Sequence, residues 1–295
     1  MLKRFLKEND FLRLSDLLLM FYLVLISLSL LFFHRGLELW WKNVVGYLIA
    51  AVCVFMFLKL TEFSQLKITR LIRDWYVFPV IIVLYRETGR ILHSIFTEWF
   101  DSIIYSMEYR VLGFHPIVLL QKTAAPFTTE AFKFIIFSAF VLIFVSALIL
   151  YLKKNINAFS DYLETISIGA YVSFVIFILF PIKGPQSELA HLYAQPLVGY
   201  FFTHIMNIID KIFSISGGGI PSVLLITIFI SLRIMRKYEE KLYYVLLPIT
   251  ILICVALIYC RQQYLTSVLA SILIAWFALY VRHIINENFT KLRYI

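Results

Sequence analysis

The sequence predicts an all-α, polytopic transmembrane helical bundle of about eight spans, and three observations carry that prediction. The first is composition: of 295 residues, 61% are hydrophobic, 17% aromatic and only 15% charged, where a soluble domain has about 25% charged and about 45–50% apolar residues. The second is that apolar runs recur along the chain between charged boundaries, many near the roughly 20 residues that cross hydrocarbon as a helix. The third is an uneven split of Lys and Arg between alternate loops. A cytosolic enzyme, a secreted domain and a disordered chain are excluded, because none could hide this much apolar surface from water. The net charge of +9 reads as loop charge and not as a nucleic-acid footprint.

Seven runs are convincing: residues 17–33, 44–58, 131–151, 166–182, 221–232 with its continuation, 242–259 and 264–281. An eighth, 75–85, is short and holds Pro79; it crosses with help from its flanks or re-enters the membrane. The first run is too long for the apolar part of a signal peptide and lacks a small-x-small cleavage site, so it is read as an anchor. With eight crossings and the N-terminus inside, 17 of the 27 basic residues fall in inner segments and nine in outer ones, which puts both termini in the cytoplasm. Dropping the eighth span would move Lys153, Lys154 and the basic 233–241 loop outside, a worse fit. Two units follow, an N-terminal two-helix region over 1–74 and a larger transmembrane domain over 75–295. Cys53, Cys254 and Cys260 form no metal or disulfide pattern and read as small core residues.

Two long outer stretches remain, 86–130 and 183–220. In the first, Ile95, Phe96, Trp99, Ile103, Ile104 and Met107 fit helices lying along the interface. Chemistry in a membrane protein needs polar groups against apolar helix ends, and three such places share the outer side. They are Lys183-Gly184-Pro185-Gln186, Gly217-Gly218-Gly219-Ile220-Pro221-Ser222 and Arg261-Gln262-Gln263-Tyr264. A glycine run entering a helix N-terminus offers backbone N–H groups to an anion, and an arginine offers a bidentate countercharge. Each has a plainer alternative: residues 217–219 as a flexible turn, Arg261 as an interfacial anchor, Lys183 as a side chain reaching for water. Their common face and order are what suggest a phosphate site. His191, His204, Glu188 and Asp210 lie in the second outer stretch and are open either to interfacial hydrogen bonding or to an approach to Arg261. Lys133, inside a span near its outer end, is read as snorkelling outward, since an intramembrane charge costs a few kcal/mol.

That order of segments resembles the PAP2 family of membrane lipid phosphatases, in particular its inositolphosphorylceramide-synthase-like branch, over roughly residues 75–280. The stretch from Phe100-Asp101 to Glu108-Tyr109-Arg110-Val111-Leu112-Gly113 is similar to that branch's outer interfacial region. Phe180-Pro181-Ile182-Lys183-Gly184-Pro185-Gln186 resembles its first motif, which usually ends Gly-Pro-Arg. Gly218-Gly219-Ile220-Pro221-Ser222-Val223-Leu224 resembles the second, usually Pro-Ser-x-His. Arg261-Gln262-Gln263-Tyr264-Leu265-Thr266-Ser267 resembles the third, usually Lys/Arg-Gln-His-Tyr-x-x-Asp. The resemblance implies a PAP2-like core with extra N-terminal helices, in a bacterial inner membrane.

The family transfers phosphoryl groups through a phosphohistidine, with an aspartate orienting the nucleophile and a second histidine as general acid. Here the nucleophile position is Gln263, the general-acid position Leu224, the orienting position Ser267 and the first-motif arginine position Gln186. An amide cannot form the phosphoenzyme and a leucine cannot move a proton. In an unrelated catalytic triad, loss of the nucleophile alone costs on the order of a million-fold in turnover. The expectation is therefore a catalytically inactive relative with no cofactor and no metal. Arg261, Ser222, Gly218, Gly219 and Lys183 are its candidate phosphate ligands. The ligand would be a phospholipid or polyprenyl phosphate among membrane lipids; a membrane-protein partner is the other expectation, and nucleic acid is not one. The alternative is an active lipid phosphatase or phosphotransferase working through atypical residues.

Overall fold

The structure, a computed structural model, describes residues 12–64, 66–193 and 195–294, with side chains as far as residue 287. Five of the 17 inner basic residues (Lys3, Arg4, Lys7, Lys291 and Arg293) therefore lie outside the described side chains. The described chain is helical, with no strand and a single isolated β-bridge. Its helices are α1 (Leu14–Phe32), α2 (Trp40–Phe63), α3 (Lys67–Trp75), α4 (Val77–Ile91), α5 (Asp101–Leu112), α6 (Pro116–Leu120) and α7 (Pro126–Leu152). They continue with α8 (Ile156–Leu179), α9 (Pro185–Glu188), α10 (Phe201–Phe213), α11 (Val223–Tyr238), α12 (Glu240–Tyr259) and α13 (Leu265–Tyr294).

Six of them, α1, α2, α7, α8, α12 and α13, are long and apolar enough to cross a membrane, which points to an integral membrane protein. Several boundaries differ from the sequence expectation. The run expected at 166–182 begins ten residues earlier, at Ile156, because Asn155 caps the helix by accepting a bond from Ala158 N. It ends at Leu179, so that Ile182 is free to form the β-bridge. The 75–85 segment is broken at Tyr76: Trp75 closes α3, and the rest belongs to α4. Ile95 and Phe96 precede α5 and are not part of an interfacial helix; of the six apolar residues expected on one, Ile103, Ile104 and Met107 are on it. Cys53 is exposed on α2, not a core residue.

The centre of the bundle is α8, most of which is buried. It packs against α1, α4, α7, α11 and α13. Gly169 makes the α8–α11 crossing close: a Cβ there would lie 2.7 Å from Ile226 Cγ2. Small residues serve this purpose in membrane helix packing, where backbones approach without a hydrophobic driving force. Gly169→Val is expected to lower stability by about 1–3 kcal/mol through overpacking. A fall in the unfolding midpoint in detergent would register this, and an unchanged midpoint would contradict it.

Polar contacts collect in two layers at opposite ends of the bundle. One layer joins the starts of α1 and α8 to the end of α13. Asp16 is fully buried and accepts hydrogen bonds from Arg73, from the Tyr76 hydroxyl and from Arg13 N. Arg13 also pairs with Asp74 at 2.6 Å, and Arg282 pairs with Asp161 at 2.6 Å and with Glu164 at 2.5 Å. Several basic residues of the loops are thus also structural: Arg13 and Arg73 tie α1 to α3, and Arg282 ties α13 to α8. Both α4 and α11 run from this layer to the other, although at 15 and 16 residues they are too short for the six-span set. A 16-residue helix rises about 24 Å, short of the roughly 30 Å hydrocarbon core. The segment before α11, residues 217–222, is largely buried non-helical backbone.

Candidate functional site

The second polar layer brings together the three segments singled out in the sequence. Asp101, at the start of α5 and 1% exposed, is its organising residue. Its carboxylate accepts Lys183 N at 2.8 Å, Gly184 N at 2.9 Å and the Tyr264 hydroxyl at 3.0 Å. One buried side chain thereby ties the first segment to the third. The first is joined to the second by the parallel bridge between Ile182 and Gly218, with Gly219 N donating to Ile182 O at 3.0 Å. The second is joined to the third through Ser222, whose N–H donates to Ser271 Oγ at 2.9 Å.

The glycines are packed positions and not a flexible turn. A Cβ on Gly219 would sit 2.8 Å from Ile182 O, and Gly217 has φ +114° with Leu92 at 2.5 Å from its would-be Cβ. This close fit also removes one expected anion donor, since the Gly219 N–H is occupied by Ile182. Ser222 caps α11, its hydroxyl accepting from Leu225 N at 3.4 Å.

Gln263 and Ser267 satisfy each other. Ser267 Oγ donates to Gln263 Oε1 across one helical turn, and Ser271 Oγ donates to Ser267 O at 2.6 Å. At these positions an amide accepts from a hydroxyl, with no imidazole and no carboxylate in the pair; an amide is not a phosphoryl nucleophile. Leu224 packs with the apolar cluster around Tyr259 and Tyr264, and Gln186 points into the open from α9.

Arg261 sits in the hairpin between α12 and α13. Gln262 N bonds to Leu257 O at 3.0 Å and Arg261 N to Ile258 O at 3.1 Å, the double bond pattern of a Schellman helix end. The residue after the cap must then be left-handed, and Arg261 has φ +62°. Glycine is the usual occupant; an L-residue there carries roughly 1–2 kcal/mol of strain. Its guanidinium is buried, with the residue 9% exposed. Nε donates to Gln121 Oε1 at 2.8 Å, Nη2 donates to Gln121 Oε1 and to Gln195 O at 2.6 Å, and the Tyr193 ring lies 3.9 Å away. Every one of these partners is neutral, and no carboxylate pairs with Arg261 among the described residues. Burial pulls the Arg261 pKa down and pushes that of the Tyr193 phenol up, so the phenol stays uncharged beside it.

Not all the expected ligands converge. No hydrogen bond among the described residues links Arg261 to Ser222, Gly218 or Gly219. Lys183 is exposed, with Nζ 5.1 Å from the Trp99 ring centre, in keeping with a side chain reaching outward. Lys133 does not snorkel: it is buried, and its Nζ lies 3.5 Å from Asp210 Oδ2. Asp210 also accepts from Gln262 Nε2 at 2.9 Å, so it approaches the hairpin beside Arg261 without pairing with it. His191 and His204 are exposed and Glu188 is half-buried. Asp210→Asn is expected to destabilise by about 2 kcal/mol, less than the 3–5 kcal/mol of a fully buried pair, because Asp210 is partly exposed. Lys133→Met in the Asp210→Asn background is expected to restore most of that loss. A double-mutant cycle of unfolding midpoints measures it, and simple additivity would contradict the pairing.

The sequence reading missed the carboxylates that build this layer. Glu108 Oε1 accepts Thr266 N at 2.6 Å and the Thr266 hydroxyl at 2.5 Å, at the start of α13. Glu130 accepts Tyr200 N, Phe202 N and Thr203 N, at the start of α10. Both lie at helix N-termini, where a negative charge is favoured. The available signal was the seven-residue spacing of Asp101 and Glu108, which places the only two carboxylates of α5 on one face. No protein family, curated protein or solved structure matches the chain.

Proposed function

We propose that this is a PAP2-like membrane protein that binds a phosphorylated lipid head group, of phospholipid or polyprenyl phosphate type, on its outer face without transferring the phosphoryl group. The observation that carries the reading is Arg261: a buried guanidinium, held in a backbone conformation that disfavours it, with only neutral partners. Residues kept in a strained conformation cluster at ligand sites. A buried cation without a counter-ion is stabilised by an arriving anion, and a guanidinium fork suits phosphate. The union of the three segments through Asp101, Ile182–Gly218 and Ser222–Ser271 supports a PAP2-like core, and the Gln263–Ser267 pair supports the absence of phosphoryl transfer.

On this reading α4 and α11 count as crossings, giving eight, with both termini on the cytoplasmic side of a bacterial inner membrane. The two helices α1 and α2 stand outside the PAP2-like core. The protein serves as a binding or scaffolding partner of envelope lipid enzymes. Binding of phosphatidate by the detergent-solubilised protein tests it. Arg261→Ala is expected to weaken binding about 10-fold or more, the worth of a charged hydrogen bond, and Ser222→Ala by less, since its hydroxyl already caps α11. Unchanged binding in a folded Arg261→Ala protein would sink the proposal.

A further inference from the structure

A cavity of about 110 Å³ lies between α1, α4 and α8, near the ends of these helices that face the Asp101 layer. It opens to the outside of the bundle on one side; for scale, an engineered, enclosed apolar cavity of about 150 Å³ binds benzene. Its back wall is Ile26, Leu30, Ile91 and Ile178, all buried, and its mouth lies at Leu25 and Leu179, both exposed on the outside of the bundle. One polar group stands out on the lining. Ser94 is 2% exposed as a residue, its hydroxyl makes no hydrogen bond among the described residues, and that oxygen is not fully enclosed. A hydroxyl so placed is free to donate to a molecule that enters the cavity.

We propose that this cavity is an outer-leaflet acyl-chain site, which takes the first methylenes of an ester-linked membrane lipid with the ester carbonyl accepting from Ser94. The walls select the occupant. α1 and α8 are both long and apolar enough to span, so the mouth at Leu25 and Leu179 faces hydrocarbon, and the molecules available there are lipids. The polar end belongs at Ser94, which is fixed at the helix ends by Arg35 N donating to Ser94 O at 2.9 Å. The tail belongs deeper, along Ile26 and Val175. Both strands of this wall lead into the polar layer: Ser94 precedes Asp101 by seven residues, and Leu179 precedes Lys183 by four. A lipid seated here brings its head group up beside Lys183 and Trp99. α1 supplies four of the ten lining residues, and the site does not depend on Arg261 binding phosphate.

Photolabelling of the full-length protein in nanodiscs tests the site, using phosphatidylcholine with a diazirine near the ester of its acyl chain. Labelled residues are expected to concentrate at the cavity lining, on α1, α4 and α8, well above the lipid-facing surface of α2. Val175→Phe, which fills the cavity, is expected to bring that labelling down to the α2 level while α2 labelling stays constant. Ser94→Ala leaves the packing intact and is expected to reduce it about 2- to 10-fold, the worth of one hydrogen bond. Arg261→Ala is expected to leave the pattern unchanged, which keeps this site distinct from the phosphate site. Even labelling of all lipid-facing helices, enrichment that survives both cavity variants, or enrichment lost in Arg261→Ala would overturn the proposal.

Discussion

Asp101→Ala is expected to destabilise the protein by at least about 3 kcal/mol and to separate the three segments that meet at its layer. The carboxylate accepts two backbone N–H groups and a phenol, from Lys183, Gly184 and Tyr264. Alanine leaves all three buried donors unpaired, and each such group costs about 1–3 kcal/mol. Water could relieve part of this only by entering a layer where Gly184 and Tyr264 are both buried. Asp101→Asn keeps one acceptor and is expected to fall between the alanine variant and the unmodified protein. Unfolding midpoints in detergent provide the comparison. A loss below about 1 kcal/mol for Asp101→Ala would mean that the segments are held by other contacts.

The second large effect is a gain. On the proposed reading, Gln186→Arg, Leu224→His, Gln263→His and Ser267→Asp together are expected to give measurable phosphate release from phosphatidate where the unmodified protein gives none. Ser267 Oγ already bonds Gln263 Oε1 one turn away, so an aspartate at 267 can orient a histidine at 263. In an established triad, the acting groups are worth on the order of a million-fold as a unit, so the restored protein is expected to gain several orders of magnitude. The same variant with Gln263→Ala in place of Gln263→His should show no such gain. A folded quadruple variant without turnover would show that the packing around Leu224 has closed the site to substrate.

What the sequence made legible was periodic or compositional. The six longest helices follow from unbroken apolar runs, and the three segments of the Asp101 layer were visible as polar residues at their ends. Long-range hydrogen bonds were not legible. Nothing local says that Asp101 meets Tyr264 across 163 positions, or that Gln121 meets Arg261 across 140. The Lys133–Asp210 pair was misread for the same reason: a lone lysine near a span end favours snorkelling unless the fold delivers a carboxylate, and α10 delivers one. The glycines were half read. Their run signals an unusual backbone, but only the neighbouring Ile182 carbonyl explains why position 219 tolerates no Cβ. Arg261 was seen as a charge; its left-handed backbone and neutral surroundings emerge only from the helix ending around it.

The central claim is that a buried arginine whose partners among the described residues are all neutral marks a site for lipid phosphate. Calorimetric titration of the full-length protein with short-chain phosphatidate, set beside diacylglycerol of the same chain length and an Arg261→Gln variant, tests it most directly. Saturable binding of phosphatidate alone, weakened about 10-fold or more in Arg261→Gln and unaccompanied by phosphate release, is the predicted result. Equal binding of both lipids, or equal binding of phosphatidate by both proteins, would contradict the account.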